Sequence, residues 1–168
     1  MPTRSILIAY TSKYGTTADC AAILDERLSE SESGQATIRL LDLNVEPIPA
    51  LDDYDTVIIG SSIYVGKISK PAKAFVTDNA AELLSKRIGI FLCCGFIEEA
   101  NKLFKENFSE KLLRHATVTG IFGGEARLDK MNFVDRNIMK AVSKASGDDA
   151  TALSISKEAI DDFATALQ

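Results

Sequence analysis

The sequence predicts an α/β domain in three layers, with a parallel sheet of five strands between helices. Two observations carry this. Short, continuously apolar runs recur along the chain, as expected of strands covered on both faces. Between them lie longer stretches with apolar residues every three or four positions, the mark of one-sided helices. Strict alternation of the two places helices on both faces of a parallel sheet.

The first strand is Ser5–Tyr10, leading into a helix from Thr16 to about Ser33 with Ala21, Leu24 and Leu28 on its buried face. Gly34 stops that helix, because glycine tolerates the left-handed conformation of a C-terminal cap. Ala36–Leu41 is the second strand, and Asp42–Asp55, with Pro47 and Pro49, is a loop holding at most a short turn. Thr56–Gly60 is the third strand. A helix begins near Pro71, a residue suited to the first helical turn, and buries Ala72, Phe75, Val76, Ala80 and Leu83. Arg87–Cys93 is the fourth strand. A helix over 98–113 follows, with Ala100, Phe104, Phe108 and Leu112 in steps of four. Thr117–Phe122 is the fifth strand, and helices over about 132–144 and 156–167 complete the pattern. Right-handed crossovers leave few topologies, of which the order 2-1-3-4-5 leads.

The chain has 168 residues, the size of one domain, and no linker or repeat divides it; residues 1–168 form one unit. A net charge of −5 speaks against nucleic acid as a partner. No apolar run approaches the ~20 residues of a membrane span. The cysteines, Cys20, Cys93 and Cys94, have neither disulfide nor metal spacing and suit a reducing, cytoplasmic setting. His115 is the single histidine and lies at the edge opposite the expected site, so neither a metal cluster nor a Ser/His/Asp triad is supported. The paired carboxylates Asp52-Asp53, Glu98-Glu99, Asp148-Asp149 and Asp161-Asp162 fall at turns and helix ends, where solvent contact explains them.

Ligands of such sheets sit outside the carboxyl ends of the strands, where the strand order reverses. The loop after the first strand is Thr11-Ser12-Lys13-Tyr14-Gly15-Thr16-Thr17. Hydroxyls, a bending glycine and the free N–H groups of a helix start make a cradle for one phosphate. Turn and capping roles are the alternative explanation of Ser and Thr there. Neither the G-x-x-x-x-G-K-[ST] nor the G-x-G-x-x-G pattern is present. After the third strand come Ser61, Ser62, Ile63, Tyr64, Val65 and Gly66, with Tyr64 placed to stack on a planar ring or to pack locally. Cys94, Gly95 and Phe96 follow the fourth strand and suit the same flat ligand, although Phe96 is as well placed to start the next helix. Gly123, Gly124, Glu125 and Arg127 follow the fifth strand at the far rim, the charged pair in solvent.

Three segments, ILIAYTSKYGTT, YDTVIIGSSIYVGK and VTGIFGGEARLDKMNFVDRNIMKAVSKASG, resemble the flavodoxin-like proteins that include the bacterial quinone-linked protoporphyrinogen oxidases. The third carries Phe133, Asp135 and Arg136 ahead of a helix ending at Ser146-Gly147. The resemblance implies a flavodoxin-like three-layer α/β/α sandwich that binds flavin mononucleotide (FMN) and transfers electrons through it. It implies that Thr11, Ser12, Gly15, Thr16 and Thr17 hold the FMN phosphate, and that Ser62, Ile63, Tyr64, Gly66 and 94–96 line the ring. The electron acceptor would be a redox partner protein, a small molecule or a quinone. Departures exist. Such oxidases carry an arginine-rich insertion between strands four and five, where this chain has EEANKLFKENFSEKLLRHA. There is no Trp to stack on the flavin, unlike in electron-shuttling flavodoxins. A receiver-like signalling module on the same sheet needs an acidic cluster after strand one, which is absent.

Overall fold

A computed structural model describes residues 3–31, 34–94, 99–124, 137 and 154–168. In chain order these form β1 (Arg4–Thr11), α1 (Thr16–Ser31), β2 (Ala36–Asp42), a 3-10 turn (Leu51–Asp53), β3 (Thr56–Tyr64), β4 (Lys67–Ile68), α2 (Lys70–Asp78) and α3 (Ala80–Leu83). There follow β5 (Arg87–Cys93), α4 (Ala100–Asn107), α5 (Glu110–His115), β6 (Val118–Ile121) and α6 (Lys157–Ala166). The expected helix over 132–144 lies outside the described residues, as do Gly95, Phe96, Glu98, Glu125, Arg127 and the pair Asp148-Asp149.

The main sheet runs β2-β1-β3-β5-β6 with every neighbour parallel. Counting parallel strands alone, this is the expected order 2-1-3-4-5. The addition is β4, two residues that pair antiparallel with the end of β3.

The apolar strands are continuous because each supplies two cores. Leu7 and Ala9 of β1, Val57 and Ile59 of β3, and Ile88, Ile90 and Leu92 of β5 enter one core with Phe75, Phe104 and Phe108. Ile6, Ile8, Ile58, Phe91 and Cys93 point the other way, into a core with Leu24 and Leu28 of α1 and Ile160 and Phe163 of α6. Successive side chains of a strand face opposite sides, so period-two alternation is hidden when both sides are apolar.

In the second core Phe91 stacks on Phe122 at 4.5 Å, and Phe163 meets Phe122 edge-on at 5.1 Å. Such geometries suit the ring quadrupoles. Space for Phe91 comes from Gly60 on the neighbouring strand, where a Cβ would sit 2.2 Å from the ring. Gly89 does the same for Phe163, at 2.9 Å. At the sheet edge Gly123 takes φ 77° and bridges Ile155, and a Cβ there would meet the Ser154 carbonyl at 2.4 Å. Gly123 is therefore a closure point between β6 and the approach to α6.

Three expectations need correction. The third strand does not end at Gly60: Ser61 and Ser62 still pair with Leu92 and Cys93 of β5, and Ile63 and Tyr64 pair with β4. The helix expected over 98–113 is two helices, because Phe108 leaves helical geometry and the Ser109 side chain accepts from Leu112 N to start a new one. Likewise Asn79 interrupts the helix after Pro71, and Ala80, expected to be buried, is exposed.

The β3–β4 hairpin turns through Val65 (φ 48°) and Gly66 (φ 74°). Two positive-φ residues between paired strands fit a tight turn matched to strand twist. Glycine suits this; valine does not, because its branched Cβ is strained there. Val65 is also 69% exposed, so packing does not compensate.

Two outcomes follow for stability. Val65→Asn should raise it by about 1 kcal/mol, because Asn tolerates the left-handed region. Gly60→Ala should lower it by about 1–3 kcal/mol as the new methyl group displaces Phe91. Urea unfolding monitored by circular dichroism measures both.

Candidate functional site

The C-terminal edge of the sheet gathers the loop after β1, the hairpin after β3 and the end of β5. They are tied together by a chain of hydroxyls. Ser69 Oγ donates to Thr11 Oγ1 at 2.7 Å, Thr11 Oγ1 donates to Ser61 Oγ at 3.1 Å, and Ser61 Oγ donates to the Ser62 carbonyl at 2.8 Å. In return Ser69 N donates to Ser61 Oγ at 3.2 Å, and Ala72 N donates to Ser69 Oγ at 3.3 Å. Each hydroxyl donates its one proton, so the directions are mutually consistent. Thr11 and Ser61 are 1% and 0% exposed. Their role in this geometry is to bolt β1, β3 and the N-terminus of α2 into one frame.

The loop from Ser12 to Gly15 rests on that frame. Gly15 takes φ 95°; its N–H donates to Ser12 Oγ at 3.0 Å, and its carbonyl accepts from Asp19 N at 3.0 Å. The loop is closed on one side by its own serine and on the other by the first turn of α1. On its outer flank, Asn44 Nδ2 donates to the Ser12 carbonyl at 3.3 Å.

Thr17 stands in that first turn. It is 1% exposed, and among the described residues its Oγ1 is the one buried side-chain polar atom without a hydrogen-bond partner. An unsatisfied buried hydroxyl costs about 1–3 kcal/mol, so it asks for an explanation. The opening turn of a helix leaves backbone N–H groups free and carries the positive end of the helix dipole. A hydroxyl held there, beside a positive-φ glycine, is a donor set suited to the oxygens of a phosphate. Thr16 beside it is half-buried.

Across the mouth stands the hairpin. Ser62 and Ile63 are half-buried, Tyr64 is 42% exposed, and Gly66 is half-buried. Asn107 of α4 holds the hairpin from behind: its Oδ1 accepts from Ile68 N at 3.0 Å, and its Nδ2 donates to the Gly66 carbonyl at 3.0 Å. Lys13 connects loop and hairpin, with Nζ 4.0 Å from the centre of the Tyr64 ring and 5.5 Å from that of Tyr14. The contact is a cation–π attraction that spans the mouth. Cys94, half-buried, is the residue after β5.

The frame brings Thr11, Ser12, Lys13, Tyr14, Gly15, Thr16 and Thr17 to one edge with Ser61, Ser62, Ile63, Tyr64, Val65, Gly66 and Cys94. Gly95 and Phe96 lie outside the described residues. Sequence reasoning missed Ser69, Asn44 and Asn107. Ser69 was within reach, since Ser-Lys-Pro is a helix-start signature; the two asparagines leave no such trace.

Other candidates fall away from the edge. A ring nitrogen of His115 donates to the Lys86 carbonyl at 2.6 Å, beside the start of β5. Asp52, Asp53, Asp161 and Asp162 are exposed, and Asp161 pairs with Arg27 at 2.7 Å. Tyr10 has its phenol pushed above the ordinary range, chiefly by burial and then by Asp42 and Glu46, which keeps it a neutral hydroxyl at physiological pH. Among the described residues no group of His, Cys, Asp and Glu is arranged to hold a metal, and no helix is long and apolar enough to cross a membrane.

Comparison with known proteins agrees with this geometry. A family model described as a flavodoxin domain matches residues 7–152. Curated proteins give no match. Among solved structures, the rubredoxin oxygen:oxidoreductase of Desulfovibrio gigas superposes with a TM-score of 0.57 at 18% identity. That alignment covers 99% of this chain but 36% of the larger protein. An NADH:FMN oxidoreductase in its apo form gives a TM-score of 0.60 at 18% identity, over 99% of this chain and 91% of the other. A Streptococcus pneumoniae flavodoxin gives 0.54 at 16% identity, over 97% of each chain. At these identities the structural likenesses establish the fold; the family model, spanning most of the sequence, establishes kinship. The chain belongs to the flavodoxin domain family, and FMN is the cofactor that this membership indicates.

Proposed function

We propose that this chain carries electrons on an FMN anchored at the start of α1. The observation that carries the reading is the orphaned hydroxyl of Thr17, buried within the helix turn where a phosphate belongs. Bound there, the flavin supplies the redox chemistry, and the protein supplies binding, orientation and electrostatics.

The residues divide the work. Ser12, Gly15, Thr16 and Thr17 surround the phosphate with hydroxyls and backbone N–H groups, Gly15 letting the backbone approach closely. Lys13 carries a cation across the mouth, over the Tyr64 ring. Ser62, Ile63, Tyr64, Val65 and Gly66 form one wall of the ring slot, with Tyr14 and Cys94 near it. Thr11 and Ser61 act through the frame, keeping the phosphate loop and that wall at a fixed separation. No side chain need serve as acid, base or nucleophile. The electron acceptor is a partner protein or a small molecule such as a quinone. The protoporphyrinogen oxidase activity suggested by resemblance rests on that resemblance alone, and an anaerobic assay with porphyrinogen and menadione tests it.

Absorbance and fluorescence titration with FMN tests the main reading. The chain should show flavin bands when loaded and should bind FMN more tightly than riboflavin, which lacks the phosphate. A chain that takes up neither flavin sinks the proposal. Thr17→Val, nearly isosteric, should weaken FMN binding roughly 10-fold by removing about one hydrogen bond to a charged group, while riboflavin binding stays unchanged. In the absence of flavin the same variant should be more stable by about 1 kcal/mol, because the unpaired hydroxyl is gone. Opposite signs for affinity and stability separate a ligand-facing hydroxyl from a structural one.

A further inference from the structure

The mouth of the site is electrically unlike the rest of the molecule. The chain as a whole carries a net charge of −5. Yet from Thr56 to Thr77, through β3, the hairpin and most of α2, it has Lys67, Lys70 and Lys73 and no Asp or Glu. All three lysines are exposed. The helix packed behind the hairpin, α4, adds exposed Lys102 and Lys105 against Glu106. On the opposite flank, beside the loop that Asn44 joins to Ser12, Glu46 forms an ion pair with Arg39 at 3.7 Å. The excess of positive charge therefore lies on the α2 side of the edge.

At the centre of the positive side is exposed apolar surface. Tyr64 and Val65 are 42% and 69% exposed, two of the four large hydrophobic residues exposed among the described ones. An apolar centre that includes an aromatic, rimmed by charge, is the anatomy of a protein–protein interface. The rim is rigid as well. Ser69, between Lys67 and Lys70, is fixed through its hydroxyl to Thr11, and Gly66 and Ile68 are held by Asn107. Charges on a fixed frame can set the orientation of a partner and speed its encounter.

We infer that the hairpin tip Tyr64–Val65 and its rim of Lys67, Lys70 and Lys73 form a docking surface for an acidic redox protein. The inference rests on the electron-transfer reading for the partner's redox character. Charge complementarity selects the acidic partner, and the fixed positions of the three lysines orient it.

The test uses one haem protein in two charge states: native cytochrome c, which is basic, and its succinylated form, which is acidic. Whole-molecule charge favours the native form; the local surface favours the succinylated one. Isothermal titration at about 20 mM salt should show tighter binding of the succinylated form, weakening roughly 10-fold near 200 mM as screening sets in. The shifts of amide NMR signals should centre on residues 64–73. The K67Q/K70Q/K73Q variant should lose roughly 10-fold in affinity for succinylated cytochrome c and keep its FMN affinity. Tighter binding of native cytochrome c, or an unchanged variant, overturns the inference; displacement by a short DNA oligonucleotide at lower concentration reassigns the surface to nucleic acid and also overturns it. Docking is measured without flavin, so the two readings fail separately. A chain that takes up no FMN but prefers the succinylated form loses its redox assignment and keeps its surface; a flavin-loaded chain that prefers native cytochrome c does the reverse.

Discussion

The site depends on a directed chain of hydroxyls, Ser69 to Thr11 to Ser61 to the Ser62 carbonyl. Parallel strands end without hairpins to join them, so loops at their carboxyl ends need some other tie. Here the tie is polar and buried. Satisfied at every step, such a network favours one arrangement; broken at one, it leaves a buried polar group whose cost exceeds the bond lost. The same chain makes Ser69 the cap of α2, so the helix cannot shift without disturbing β1. Phosphate loop, hairpin and docking rim are in this sense one object.

Against that satisfied network, Thr17 stands out. Its neighbours show that this edge can pair its hydroxyls within the protein, and Thr17 Oγ1 is left without a partner among them. Ser12 in the same loop turns its oxygen toward Gly15 N. A buried hydroxyl without a partner in the opening turn of α1, next to a loop whose serine already accepts from its own backbone, makes sense when something outside the chain completes it. The strain at Val65 belongs to the same edge. Departures from local preference tend to gather where a fold serves function, and both departures here flank the proposed slot.

Much of the fold was legible because burial on both sheet faces writes itself into composition: Ile6–Ala9, Val57–Ile59 and Ile90–Leu92 are apolar without interruption, and each lies in a strand. The site loop was legible for a different reason, the crowding of Thr and Ser around Gly15 just before a helix. What escaped depends on long-range partners. The end of β3 hides because Ser61 and Ser62 are poor strand formers, kept extended by pairing with β5. The break at Phe108 hides because its ring stays buried through the break, preserving the helical spacing of apolar residues. Asn107 hides because an asparagine reaching two backbone groups across the fold looks, in sequence, like any exposed one. Thr11 and Thr17 show the limit most clearly: two hydroxyls of one motif differ in their partners, and only Ser61, across the sheet, distinguishes them.

The two charge patterns of the molecule also need not conflict. A net negative charge keeps copies of the chain apart and acts at long range, whereas the lysines after β3 act within about a Debye length, ~8–10 Å at physiological ionic strength. At that range the local field outweighs the mean one. Placing the positive sector on the hairpin and α2, which the hydroxyl frame fixes to β1, couples recognition to the cofactor site without any moving part. An electron carrier benefits from such coupling, because a partner oriented by the rim arrives at the slot beside Tyr64 already facing the group with which it must exchange an electron.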